Sequence, residues 1–110
     1  MIQKTIENIE AKIRESSTIT DEGRVELLRL LAMLKAEIGE LSKTHPEQAE
    51  SITSFAQASA HEATRKEKNP DLLKLSLDGL STSVKELEAS HPDLLRLVNA
   101  VSQALANMGI

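Results

Sequence analysis

The stretches ELSKTHPEQ (residues 40–48) and ELEASHPDL (residues 86–94) are nearly the same sequence, repeated at a distance of 46 residues. Each contains a Glu-Leu pair followed by a histidine that directly precedes a proline. Proline fits the first turn of a helix, where its missing N–H has no partner, and it favours a non-helical residue before it. Each stretch therefore predicts the end of one helix, a short turn and the start of the next.

The repeat extends beyond the two turns. A shift of 46 carries Ile52 onto Val98 and Gln57 onto Gln103. It also carries the apolar positions before the first turn (Leu27, Leu31, Leu34, Ile38, Leu41) onto those before the second (Leu73, Leu77, Leu80, Val84, Leu87). Heptad-spaced leucines in any helical bundle produce some of these matches, so a true duplication and a chance agreement both stay open.

Apolar residues recur at steps of three and four along the whole chain, which is the spacing of one helix face. The first stripe is Ile2, Ile6, Ile9 and Ile13, and the last is Leu94, Val98, Val101, Leu105 and Met108. These stripes predict five helices, near residues 2–16, 20–43, 46–66, 70–89 and 92–107. We expect one all-α domain over residues 1–110, an antiparallel bundle of about five helices built from helical hairpins.

Helix starts are marked by local signals. Thr18 or Thr20 can cap the second helix, and Asn69 before a proline suits the start of the fourth. Residues 44–47 (THPE) and 90–93 (SHPD) match a capping box, in which the first hydroxyl accepts a backbone N–H three residues on. We therefore expect Thr44 and Ser90 to cap the third and fifth helices.

The third helix has an apolar side made mainly of alanine, so each residue buries little area. We expect it to be the most loosely held helix unless a neighbour contacts Ile52 and Phe55. Gly79, inside the fourth helix, costs about 1 kcal/mol relative to alanine. It indicates either a close helix contact or simple tolerance.

Composition excludes several classes of function. The chain has no cysteine, which removes disulfides, thiolate metal ligands and cysteine nucleophiles. Its net charge of −4 and single aromatic residue offer neither a basic stripe for phosphates nor a stacking platform for bases, so we expect no nucleic-acid partner. Charges interrupt the apolar runs and the N-terminal segment, so we expect no membrane span, no signal peptide and a cytoplasmic location.

Chemistry-bearing residues are few. His45 and His91 are expected to serve as turn residues, because a histidine metal site needs three or four converging ligands at spacings that this chain lacks. Acidic pairs such as Glu7 with Glu10 have the spacing of a solvated helix face. The glycines are scattered singly and form no phosphate loop. We therefore predict no catalytic, cofactor-binding or metal-binding residue and no enzyme activity.

His61 supports one alternative, a histidine phosphotransfer-like signalling module. Phosphotransfer domains resemble this chain in being small helical bundles, and their phosphorylated histidine is followed by lysine three residues on and glycine four on. Here those positions hold Thr64 and Arg65. Both departures weaken the resemblance and favour a solvent-facing histidine.

The segments TDEGRVELLRLLAMLKAEIGEL (residues 20–41) and SHPDLLRLVNAVSQALANMGI (residues 90–110) resemble a family of short, uncharacterised bacterial all-helical proteins. Its members end in a His-Pro-capped helix and a Met-Gly-Ile-like C-terminus. The resemblance covers the first 41 and the last 40 residues and leaves residues 44–68 as an added helix. It implies a domain of unknown function with no assigned active site.

Several helices are apolar beyond a narrow stripe, with Leu28 and Leu30 beside the second and Leu95 and Leu97 beside the fifth. A thin bundle of this length is not expected to bury them all. We therefore predict self-association, most simply a two-fold homodimer. The expected function is that of a non-enzymatic interaction or scaffold module that presents helical grooves to itself or to a partner protein.

Overall fold

The computed structural model describes residues 2–108, which form five α-helices connected by short turns. A single 3₁₀ turn, Lys85–Leu87, lies between the fourth and fifth helices. No strand occurs among these residues, so the predicted all-α bundle is confirmed. The helices are α1 (Ile2–Glu15), α2 (Asp21–Leu41), α3 (Pro46–Thr64), α4 (Pro70–Val84) and α5 (Pro92–Met108).

Two of the predicted helix starts are confirmed. The Thr20 hydroxyl accepts the backbone N–H of Gly23 at 3.0 Å, so Thr20, and not Thr18, caps α2. Asn69 Oδ1 accepts the N–H of Leu72 at 3.1 Å and caps α4. Each side chain satisfies an N–H that the first turn of a helix leaves without an intrahelical partner.

The predicted capping boxes at Thr44 and Ser90 are wrong. The N-cap of α3 is His45, which makes no side-chain cap hydrogen bond. The backbone N–H of Thr44 donates to the carbonyl of Leu41 (3.1 Å), so Thr44 closes the end of α2 and lies too early to cap α3. The hydroxyls of Thr44 and Ser90 each lie 2.8 Å from Nδ1 of the histidine that follows.

The fourth helix is shorter than the predicted 70–89. Its α-helical hydrogen bonding ends at Val84, and the chain tightens into the 3₁₀ turn. The Ser83 hydroxyl donates to the carbonyl of Leu80 at 2.6 Å, a local bond that competes with regular helix continuation. Residues 81–84 (STSV) are also weak helix formers, whereas the equivalent residues 35–38 of α2 (KAEI) are mostly stronger ones.

The helices contact one another in a closed ring. In order around it, α1 contacts α2, α2 contacts α5, α5 contacts α4, α4 contacts α3, and α3 returns to α1. The most extensive contact is between α3 and α4, and the least extensive between two α-helices is that of α2 with α3. Helix α1 therefore lies as a wedge between α2 and α3, the two arms of the first hairpin.

The predicted stripes form the core. Every stripe residue quoted above for α2 and α5 is buried, and Ile6, Ile9 and Ile13 of α1 join them. Ile2 and Leu77 are partly buried, and Phe55 on the apolar side of α3 is 40% exposed. Heptad spacing thus located the core because one face of each helix meets its neighbours.

The four leucines from which self-association was predicted are wholly or partly buried within this chain. Leu30 and Leu97 are buried within this chain, and Leu28 and Leu95 pack against the core from the side. A ring of five helices gives each helix two or more neighbours, which covers a wider arc of its surface than one narrow stripe. The large apolar side chains that do stay exposed are Val25, Met33, Phe55, Leu72 and Leu75.

Glu10 also departs from the sequence prediction. It is only 7% exposed, because α1 turns it toward α2, where Lys35 Nζ lies 3.5 Å from its carboxylate. Glu7 lies 3.9 Å from the same ammonium group. The two acids therefore face a lysine of the neighbouring helix.

Among residues 2–108, no helix has an apolar stretch of the length that a bilayer crossing requires.

Candidate interaction surfaces

The two His-Pro turns meet in space. The imidazole rings of His45 and His91 pack edge to face, with centroids 5.4 Å apart and planes at 84°. Their backbones are bonded in the same way, since His45 N–H donates to Leu41 and His91 N–H to Leu87, each at 2.7 Å. The repeated sequence thus builds two equivalent turns whose histidines contact each other at the start of α3 and α5.

The histidine pair is a packing contact with few chemical partners. Each Nδ1 is within hydrogen-bond distance of the hydroxyl of Thr44 or Ser90. In the part of the chain that the structure describes, no group of three or more His, Cys, Asp or Glu side chains is arranged to hold a metal ion. Both rings lie where two helices begin, so the positive ends of the helix dipoles disfavour a bound cation.

His61 lies apart from this pair, on the exposed side of α3. Its Nε2 is 4.0 Å from Glu62 Oε2, and Glu62 in turn accepts a hydrogen bond from Arg65 at 2.8 Å. A shallow pocket of 310 Å³ is lined by His61 and Arg65 of the α3 end and, from α1, by Lys12 and Glu15. Lys12 supplies a cation near His61 that the sequence pattern did not predict.

In the contact between α3 and α4, the most extensive between helices, Phe55 lies over Gly79. A Cβ placed on Gly79 of α4 would lie 2.3 Å from Cε1 and 2.4 Å from Cδ1 of Phe55, so only glycine admits the ring. The close-contact explanation of Gly79 is therefore confirmed. Ile52 is fully buried and Phe55 rests on α4, so the condition under which α3 is firmly held is met.

The ring of Phe55 forms the floor of an open groove of 820 Å³ between α3 and α4. Leu75, which is 66% exposed, forms its other apolar wall, and Gly79 lies between them. The acidic residues that line it are Glu47, Asp78 and Glu86, and its described lining includes no lysine or arginine. We call this surface the α3–α4 groove.

A second exposed apolar surface lies on α2. Val25 is 69% exposed and Met33, two turns further on, is 46% exposed. Exposed Ala32 and Ala36 continue the same side of the helix. Arg29 lies between Val25 and Met33, bonded to both carboxylate oxygens of Glu26 at 2.6 and 3.1 Å. We call these residues the α2 face.

Charge differs between the two surfaces. The bond from Arg29 lowers the pKa of Glu26 below its ordinary value of 4.5, and the same bond raises the pKa of Arg29. The α2 face therefore carries a pair of opposite charges, whereas the charged residues that line the groove are all acids. A surface with both signs can complement a second copy of itself, and a surface with one sign cannot.

From the sequence, Phe55 was expected only as a possible contact that holds α3, and neither surface was predicted. The repeat contained a usable signal. A shift of 46 carries Glu26 onto Leu72 and Arg29 onto Leu75, so an ion pair on α2 becomes two exposed leucines on α4. Leucines at the solvent-facing equivalents of a charged pair indicate that this side of α4 meets something other than water.

A family model described as a domain of unknown function, DUF4404, matches residues 27–110. The chain belongs to the DUF4404 family. No curated protein and no solved structure matches it significantly.

The DUF4404 match confirms the predicted resemblance to an uncharacterised helical family and corrects its extent. It begins inside α2 and runs through residues 44–68, which we had expected to be an addition. Helix α3 is therefore part of the matched region, as α4 and α5 are. Helix α1, which wedges the first hairpin open, lies outside the matched residues.

Proposed function

We propose that this DUF4404 chain is a non-enzymatic interaction module that associates with a second copy of itself through the α2 face. The observation that supports it most directly is the pair of exposed apolar side chains, Val25 and Met33, on one side of the longest helix. We keep the cytoplasm as its proposed location and assign no nucleic-acid or membrane partner.

The composition of the α2 face suits a two-fold helix pair. Alanine at positions 32 and 36 lets a second helix approach closely, while Val25 and Met33 supply apolar area to be buried. Glu26 and Arg29 lie beside the apolar residues, and in a dimer each exchanges its intrahelical partner for one on the other copy. Such a dimer leaves the α3–α4 groove open, because α2 does not contact α4.

Sedimentation equilibrium of three proteins tests this proposal. The wild type should sediment as a dimer of the 12.0 kDa chain at micromolar concentration. Met33→Glu places a charge on the α2 face and should yield a monomer. Leu75→Glu, a matched change of an exposed apolar residue on α4, should stay dimeric. A wild-type monomer, or equal effects of the two variants, would contradict the proposal.

A second candidate function is phosphotransfer through His61, and the proximity of Lys12 and Arg65 favours it. Both cations line the pocket beside the exposed imidazole, where they can balance the charge of a phosphoryl group on Nε2. Incubation with a phosphorylated receiver domain distinguishes the two functions. Radiolabel that reaches the wild type but not His61→Gln would replace the interaction module with a signalling one.

A further inference from the structure

The α3–α4 groove is an open cavity of 820 Å³, and the proposed α2 dimer would leave it free. From its lining we infer that it binds an amphipathic helix of a partner protein, one with leucine-like anchors on one side and lysine or arginine on its flanks. This inference rests on the interaction-module part of the proposed function and does not depend on self-association.

Apolar contact comes from the floor and one wall. Phe55 packs against α4 at Gly79, where no side chain keeps the ring away, yet 40% of its surface is exposed. Leu75 projects beside it with most of its surface exposed. These two exposed apolar side chains in one groove suit the apolar anchors, spaced one helical turn apart, of a helix bound in a groove.

The charged residues of the α3–α4 groove indicate which kind of helix it can bind. Glu47, from the start of α3, and Glu86, just after α4, lie toward one end of the groove, and Asp78 lies further along it. Lys74 Nζ is 3.4 Å from Asp78 Oδ2, but both side chains are largely exposed, so this pair is weak and can be exchanged. The groove thus presents three acids to a ligand, and basic side chains beside the anchors match them.

A second copy of the chain is a poor occupant. The whole chain carries a net charge of −4, and like faces would set the three acids against one another. The occupant that fits both the floor and the lining is a basic helix from another protein.

Fluorescence anisotropy with three labelled peptides of about 18 residues, five helical turns, tests the inference. The first peptide is an amphipathic helix of leucine and lysine, the second replaces lysine with glutamate, and the third scrambles the first so that its composition is kept and its apolar side is lost. The first should bind, with an affinity that falls as salt is raised. The second should not bind, and the third should bind at least about tenfold more weakly.

Variants of the protein then locate the site. Asp78→Lys with Glu86→Lys should weaken the leucine-lysine peptide by at least about tenfold and allow the leucine-glutamate peptide to bind. Leu75→Glu should also weaken the first peptide, and circular dichroism should show both variants folded, since all three positions are exposed. Met33→Glu should bind the peptide like the wild type, whatever its oligomeric state.

No binding of the first peptide, equal binding of its scrambled form, or binding that the charge reversal leaves unchanged would overturn the inference. A dimer that fails to form while the peptide still binds would count against the α2 proposal alone. A dimer that forms while no peptide binds would count against the groove alone. The two conclusions therefore fail separately.

Discussion

His45 and His91 are 46 positions apart in the chain, yet their rings pack edge to face at 5.4 Å, each beside the hydroxyl of the residue before it. The contact joins the two hairpins where α3 and α5 begin. The two histidines, which the sequence predicts to be turn residues, thus also form a tertiary contact between the two hairpins.

Replacement of the histidines should therefore be non-additive. We expect His45→Ala and His91→Ala each to lower the free energy of unfolding, and the double variant to cost less than the sum by about 0.5–1.5 kcal/mol, the range of aromatic pairs. Urea denaturation of the four proteins measures this coupling.

Thr44→Ala is the matched control for the histidine variants. It removes one exposed hydroxyl and no helix cap, so its cost should stay within about 0.5 kcal/mol. A cost of about 1 kcal/mol for Thr44→Ala, the amount expected of an N-cap, together with additive histidine variants, would restore the capping explanation.

Gly79→Ala should destabilise the protein, although alanine is the better helix former by about 1 kcal/mol. The added methyl group would overlap the Phe55 ring, which must leave its place on α4. Gly39→Ala is the control, because its methyl group meets only the end of the Gln3 side chain, which can move aside. Thermal melts should therefore shift in opposite directions, and a stabilising Gly79→Ala would show that the ring is not held there.

Lys35→Met should cost about 1–3 kcal/mol, because it leaves the buried carboxylate of Glu10 without its cation. Lys43→Met removes an ion pair with Glu40 in which both side chains are exposed, and its cost should be below about 0.5 kcal/mol. Urea denaturation compares the two. Equal small costs would mean that Glu10 is solvated after all.

Arg29→Gln should return the pKa of Glu26 from its lowered value to about 4.5, because the lowering comes first from the hydrogen bond that Arg29 donates. Because the pKa of Glu26 is lower in the folded protein than in the unfolded chain, the ion pair stabilises the fold at pH values above the ordinary pKa. This stabilisation is lost as the pH falls through the lowered pKa. Carbon-detected NMR titration of the Glu26 carboxyl group follows the change. A wild-type pKa at or above 4.5 would show that the pair is not formed in solution.

Sequence reasoning worked where the cause is local or periodic. Thr20 and Asn69 cap helices through atoms three residues away, and the stripes are buried because each helix has one apolar side. The prediction failed where the packing of a neighbouring helix determines the environment of a residue. The pattern of Glu7 and Glu10 is the same on a solvated face and opposite a lysine, and only the packing of α1 against α2 separates the two cases.

The candidate surfaces were predictable only in outline. The sequence predicted an interaction module but located its apolar excess at Leu28, Leu30, Leu95 and Leu97, which the ring of helices buries wholly or in part. Phe55 has the spacing of a buried residue of α3. That spacing does not predict that the ring will pack at Gly79 of α4 and stay partly exposed. The sequence did contain one signal of the groove: the positions of Glu26 and Arg29 on α2 correspond, at a shift of 46, to Leu72 and Leu75 on α4.

The central claim is that a second copy binds the α2 face, and isotope-filtered NMR on the wild-type protein tests it most directly. In an equal mixture of ¹³C-labelled and unlabelled chains, nuclear Overhauser effects between copies should appear at the methyl groups of Val25, Ala32 and Met33. The methyl groups of Leu72 and Leu75 should show none. An absence of signals between copies, or their appearance at Leu72 and Leu75, would contradict the account.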